Sequence, residues 1–116
     1  MNSNKPYSRV ERVSKQILDI LSSILMKNID LSYLGFITFI NVDIAPDLKS
    51  AKVFYSVLSP KMSNSKIDIE INKKQKAFKK YMGPQLQLRN TPDIRFYFDE
   101  TLVYSEKIER LLKDPK

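Results

Sequence analysis

Apolar positions recur along the chain with two different periods. Val10, Val13, Ile17, Ile20, Leu21 and Ile24 return every three or four residues, the repeat of one helix face. Ser8-Arg9-Val10-Glu11 at its start has the form of a capping box, in which hydroxyl and carboxylate satisfy two orphan amides. The spacing predicts a helix to about Lys27, with Arg9, Arg12, Gln16 and Asp19 on the opposite face, where plain solvation is the expectation for Asp19. Residues 28–35 connect to a run from Phe36 to Ile44 that is rich in β-branched and aromatic side chains and predicts a strand. At its end Val42 and Ile44 face one way, Asn41 and Asp43 the other. Ala45-Pro46-Asp47-Leu48-Lys49 carries turn chemistry. Ala51 to Leu58 predicts a second strand, with Ala51, Val53, Tyr55 and Val57 on one face and Lys52, Phe54 and Ser56 on the other. So short a connection makes the pair antiparallel.

After a polar loop from Ser59 to Ser65, the reading from Lys66 to about Gly83 is helical. Ile67 to Ile71 also alternates like a strand, but the helical stripe continues through Ile67, Ile71, Phe78, Tyr81 and Met82. It fails at Lys74 and Gln75, where an apolar residue is due. Either the helix breaks there or the lysine stem lies along apolar surface. Gly83-Pro84 is a second irregularity, because proline lacks the amide a helix needs. Asn90-Thr91-Pro92 is a turn. Ile94, Phe96 and Phe98 then alternate with Arg95, Tyr97 and Asp99, predicting a third strand. A short terminal helix would present Ile108, Leu111 and Leu112 on one side, and residues 1–7 read as a disordered arm. The order α-β-β-α-α-β suits helices laid over one face of a three-stranded sheet, a two-layer α+β domain. The other sheet face would carry Lys52, Phe54, Arg95 and Tyr97, a mixture suited to RNA or to plain solvent exposure.

At 116 residues the chain fits one domain. Its 20 Lys and Arg outnumber 13 Asp and Glu, and the resulting net charge of +7 favours a polyanion, nucleic acid or an anionic membrane face. There is no cysteine and no histidine, which removes disulfides, thiolate chemistry and the commonest general base and metal ligand. The N-terminus shows no signal-peptide pattern, and the apolar runs are too short or too polar to span a bilayer, so the expected location is the cytoplasm.

The strongest local signal is the cluster Lys73, Lys74, Lys76, Lys79 and Lys80. On one continuous helix Lys73, Lys76 and Lys80 share a face. Their mutual repulsion would be relieved by a phosphate backbone; the competing reading is a solvated charged face. Lys5, Arg9, Arg12 and Lys15 form a second basic group and Arg89 with Arg95 a third. Lys49 and Lys52 complete the candidate RNA contacts. Asp99 and Glu100 are adjacent at a strand end, so their side chains diverge, and no histidine or metal set supports them. No catalytic residue, metal or cofactor is expected. Asp43 and Asp47 flank a turn, where capping is the expected job.

The element order resembles the KH-type RNA-binding fold in its bacterial (type II) arrangement, but no Gly-x-x-Gly clamp exists: the glycines are Gly35 and Gly83 alone. Gly83 to Asp99, reading GPQLQLRNTPDIRFYFD, is similar to a signature of the ribosome-binding factor A family. Val42-Asp43-Ile44-Ala45-Pro46-Asp47-Leu48 with Ala51-Lys52-Val53 is similar to that family's first hairpin. Arg9-Val10-Glu11-Arg12-Val13 resembles its opening helix, and Ile108 with Leu111-Leu112 its closing segment. The resemblance covers nearly the whole chain. It implies a KH-like fold with an Ala-x-Gly kink between two helices in place of the clamp. It further implies a monomer that binds free, immature 30S subunits and 16S rRNA, assists late maturation including processing of the rRNA 5′ end, matters most in the cold, and leaves the mature subunit with help from a GTPase. Two departures stand out: Lys74-Gln75-Lys76 occupies the kink position, and Pro84 falls where relatives continue a helix. The alternatives are a basic protein-interaction module and another KH-like RNA-binding adaptor. An RNA-processing enzyme is disfavoured by the missing His and Cys.

Overall fold

The computed structural model describes residues 8–99. The arm at 1–7, Lys5, and the terminal helix around Ile108 and Leu111 lie outside the described residues.

Helix α1 (Arg9–Lys27) begins as the sequence predicts. The Ser8 hydroxyl accepts from the Glu11 amide, and the Glu11 carboxylate accepts from the Ser8 amide at 2.8 Å. Its stripe, Val13, Ile17, Ile20, Leu21 and Ile24, is buried. Strands β1 (Phe36–Ile44) and β2 (Ser50–Leu58) pair antiparallel, and β3 (Asp93–Phe98) runs parallel to β2 at the sheet's edge. Helices α2 (Asn64–Asn72) and α3 (Gln75–Met82) connect β2 to β3. A parallel partner requires such a crossover. All three helices send their buried side chains into one core with the inward residues of the strands. The observed order is therefore α-β-β-α-α-β in two layers.

Strand β1 contains a bulge that alternation alone does not reveal. Phe39 pairs with Tyr55 and Asn41 with Phe54, leaving Ile40 as the extra residue. The bulge resets the two-residue repeat, so Ile37 and Phe39 before it and Val42 and Ile44 after it all face the core. Three rings from three elements meet beneath the sheet. Phe39, Phe78 and Phe96 have centroids 5.3–5.6 Å apart in stacked and edge-on pairs. Tyr55 is buried beside them, and its hydroxyl donates to Asp68 at 2.9 Å. Burial, reinforced by that bond, pushes the phenol well above its usual range.

Where the apolar stripe fails, the helix breaks. α2 ends at Asn72, Lys73 and Lys74 turn, and α3 starts at Gln75, with Lys74 at φ −94° and ψ 4°. Two positions differ from the predicted helix. Ser63 caps α2 by accepting from the Lys66 amide, so the helix starts at Asn64 and not at Lys66. Tyr81 is exposed, and Met82 closes the stripe. Pro84 behaves as its chemistry predicts: α3 stops and the chain tightens into a 3-10 turn at Gly83–Gln85.

The break is fastened to β3 by Asn72. Its side-chain amide donates to the Phe96 carbonyl at 3.0 Å, and its carbonyl accepts from the Phe96 amide at 2.9 Å. The same side chain donates to the Asp68 carbonyl and accepts from Gln75 Nε2 at 2.7 Å, so its amide is fully used. A side chain thus supplies what a further strand would have given the edge.

Two substitutions test these constraints. Gly35 sits at φ +129°, and a Cβ there would lie 2.9 Å from the Ser59 carbonyl oxygen. Gly35→Ala therefore combines a disfavoured backbone with a clash, and should cost about 2 kcal/mol in thermal unfolding. Asn72→Ala leaves both Phe96 backbone groups without a protein partner. It should lower stability by about 2 kcal/mol in denaturant titration, more than Ala at the exposed Asn64.

Candidate nucleic-acid interface

The outer face of the sheet carries a two-by-two block of side chains. Lys52 is the register partner of Arg95, and Phe54 of Tyr97. Strand alternation places all four on the face away from the core. The Tyr97 ring lies at the centre of this block. Its centroid is 5.8 Å from that of Phe54, 5.7 Å from Arg95 Cζ and 6.0 Å from Lys52 Nζ. These are cation–π distances, and they hold two positive charges against one ring.

The block opens into a hollow of about 650 Å³ that wraps the start of β3. The β1–β2 turn and the first residues of β2 form one wall. Gln75, Lys76 and Lys79 of α3 form another. Asn72 sets that second wall, because it fixes the beginning of α3 against β3. Four cations line the hollow: Lys52, Lys76, Lys79 and Arg95. Two carboxylates, Asp43 and Asp93, line it with them. Lys79 bonds Asp93 at 2.7 Å, whereas Lys52, Lys76 and Arg95 make no ion pair among the described residues. The hollow therefore keeps a positive excess.

A second hollow, of about 420 Å³, gathers Arg9 from α1, Lys49 from the turn and Arg89 from the loop before β3, with Asp47 and Asn90. Its turn holds Leu48 at φ 61° and is closed by the Asp47 carboxylate, which accepts from the Lys49 amide. That is the capping role expected of Asp47. The loop before β3 is tied in by the Asp93 amide, which donates to the Lys49 carbonyl. Both hollows lie at the end of the sheet where β2 and β3 begin. Phe36 and Leu58, cross-strand partners at the other end, are exposed, as are Met26 and Tyr33.

Seven of the eleven sequence-predicted contacts thus line the two hollows. Two groupings need correction. Lys73, Lys76 and Lys80 do not share a helix face, because the break separates Lys73 from the other two, and Lys73 instead pairs with Glu70 at 3.1 Å. Arg89 and Arg95 do not act as one group; each lines a different hollow. Arg12 and Lys80 are exposed, Lys74 is half-buried in the break, and with Lys73 they line neither hollow. Gln75 and Tyr97 line the first hollow although charge does not single them out. Alternation puts Tyr97 on the right face, and only the β2–β3 register shows what stands beside it. Among the described residues no three carboxylates gather into a possible metal site, and no helix is long and apolar enough to cross a membrane.

Comparison with known proteins agrees with this architecture. The family model described as ribosome-binding factor A matches residues 9–112. A ribosome-binding factor A of Streptococcus mutans is 33% identical over 107 residues, 91% of this chain and 92% of that protein. The crystal structure of ribosome-binding factor A from Thermus thermophilus superposes with a TM-score of 0.66 at 13% identity, covering 78% of this chain and 96% of the other. A homology model of the Thermus thermophilus factor, fitted into a cryo-EM map of its complex with the 30S subunit, gives a TM-score of 0.61 at 13% identity, over 75% and 91% of the two chains. The KH-like two-layer fold, the Gly83 to Asp99 signature and a family match running from Arg9 to Leu112 agree, and the chain belongs to the ribosome-binding factor A family.

Proposed function

We propose that this protein binds free, immature 30S ribosomal subunits through 16S rRNA and, without catalysing a reaction, assists their late maturation, including processing of the rRNA 5′ end. The observation that carries the reading is the hollow at the start of β3. There Lys52, Arg95 and Lys76 converge from three elements and form no ion pair among the described residues, although Asp43 stands across from Lys52. Four cations against two carboxylates leave the concavity with a positive excess, which suits phosphate oxygens. Membership of the family supports the ribosomal partner, as does the structural likeness to a factor fitted into a 30S complex. The lack of histidine and cysteine supports a binding role over chemistry. The protein acts as a monomer in the cytoplasm, and it departs once the subunit is mature.

Titrating isolated small subunits with the protein at several salt concentrations tests the RNA contact. Each phosphate neutralised contributes a slope of roughly −0.7 to −0.9 in log affinity against log salt. The expected slope corresponds to several phosphates, whereas a flat dependence would favour a protein-interaction module. Reversal of Lys76 and Arg95 to Glu should weaken binding and reduce the slope by about one for each phosphate left unneutralised. Reversal of Lys73 should change little, because its charge is directed at Glu70. Cells lacking the protein should accumulate small subunits whose 16S rRNA 5′ ends are unprocessed, most severely in the cold, as read by primer extension.

A further inference from the structure

We infer that the outer sheet face is a stacking site for an unpaired rRNA base, which lies against Tyr97 beside Phe54 while its neighbouring phosphate meets Lys52 and Arg95. The inference rests on the RNA-binding reading above and names the form of RNA that the site takes. Backbone clamping by a glycine loop is unavailable to this chain, so recognition of a single strand needs another device. The two-by-two block supplies one. Its aromatic pair and its basic pair are adjacent rows, two residues apart along β2 and β3, or about 7 Å. That matches the reach from a base to the phosphate of its own nucleotide. The rings are partly exposed, and among the described residues every helix packs on the opposite face.

The two cations at 5.7 and 6.0 Å do more than add charge. Both lie over the Tyr97 ring, so a base that stacks there takes their place against it and they turn to its phosphate. A paired duplex cannot use this surface, because its bases are already stacked on each other. An unpaired base gains the stack and brings its phosphate to Lys52 and Arg95 together. On β2 and β1 the small Ser56 and Thr38 lie beyond the rings, while Asn41 stands across from Phe54 and Asp43 across from Lys52.

The chain contains no tryptophan, so Y97W places a unique fluorophore in the site. The probes are a short A- and U-rich single strand and a fully paired RNA duplex of the same length. Emission of Y97W should be quenched by the single strand and hardly altered by the duplex. Y97L, which keeps apolar bulk without a ring, should bind the single strand about tenfold more weakly, near the lower end of a base–aromatic stack, and bind the duplex as the wild type does. Y97F should behave as wild type. Should Y97L fail to fold, Y97F and Y97W still preserve the cross-strand ring pair and carry the test. The inference is overturned if Y97W emission is unchanged where anisotropy of labelled single strand shows saturation, if Y97L keeps full affinity, or if the wild type does not prefer the single strand. A steep salt dependence on 30S subunits alongside any of those results would sink the stacking site alone. Salt-independent binding would sink the RNA reading beneath it.

Discussion

The pairing of the Asn72 side chain with the Phe96 backbone is the constraint on which the arrangement around β3 depends. A primary amide has the donor and acceptor of a peptide group, so it can take the place of a missing strand at a sheet edge. Here it does so from the last residue of α2, at the point where the helix stops. One side chain therefore joins the end of α2, the first residue of α3 and the middle of β3. The Phe39–Phe78–Phe96 cluster ties α3 and β3 to β1 from below. Apart from the exposed Lys79–Asp93 ion pair further along α3, the amide is the polar contact that fixes the direction in which α3 leaves the break. With it, Gln75, Lys76 and Lys79 are set beside Arg95 and Tyr97.

That placement explains how a KH-like domain without a Gly-x-x-Gly loop can still present a binding surface next to its interhelical break. The break is tied to β3 by Asn72, and it has lysines where a clamp would have glycines. The lysines immediately in it are largely diverted: Lys73 is held by Glu70, and Lys74 is half-buried. The charge that lines the hollow comes from residues that are distant in sequence. The two hollows with their seven Lys and Arg lie at the end of the sheet where β2 and β3 begin, while Phe36 and Leu58 are exposed at the other.

Much of this is legible in the chain. Capping at Ser8 and Glu11 is a local hydrogen-bond pattern, and the stripe from Val13 to Ile24 is a one-dimensional repeat, so both appear directly in residue order. The failed stripe at Lys74 and Gln75 marks the break for the same reason. The bulge at Ile40 is not legible, because β1 is apolar on both sides of it and only pairing with β2 shows which residue is extra. Ser63 does not stand out as a cap because Lys66, and not an acidic residue, follows three positions on. The site is half legible. Charge identifies Lys52, Lys76, Lys79 and Arg95, but grouping them by proximity in sequence joins Lys73 to Lys76 and Arg89 to Arg95. Pairing across β2 and β3 decides those groupings, and the role of Asn72 depends on a contact spanning 24 residues.

The most direct measurement is ultraviolet cross-linking of the protein to rRNA in its complex with immature 30S subunits, with cross-linked peptides identified by mass spectrometry. The account predicts adducts in the β3 peptide at Tyr97 and in the adjacent β2 peptide at Phe54, with none at the Met26 to Phe36 end. RNA adducts concentrated at that apolar end, with β2 and β3 clean, would contradict it.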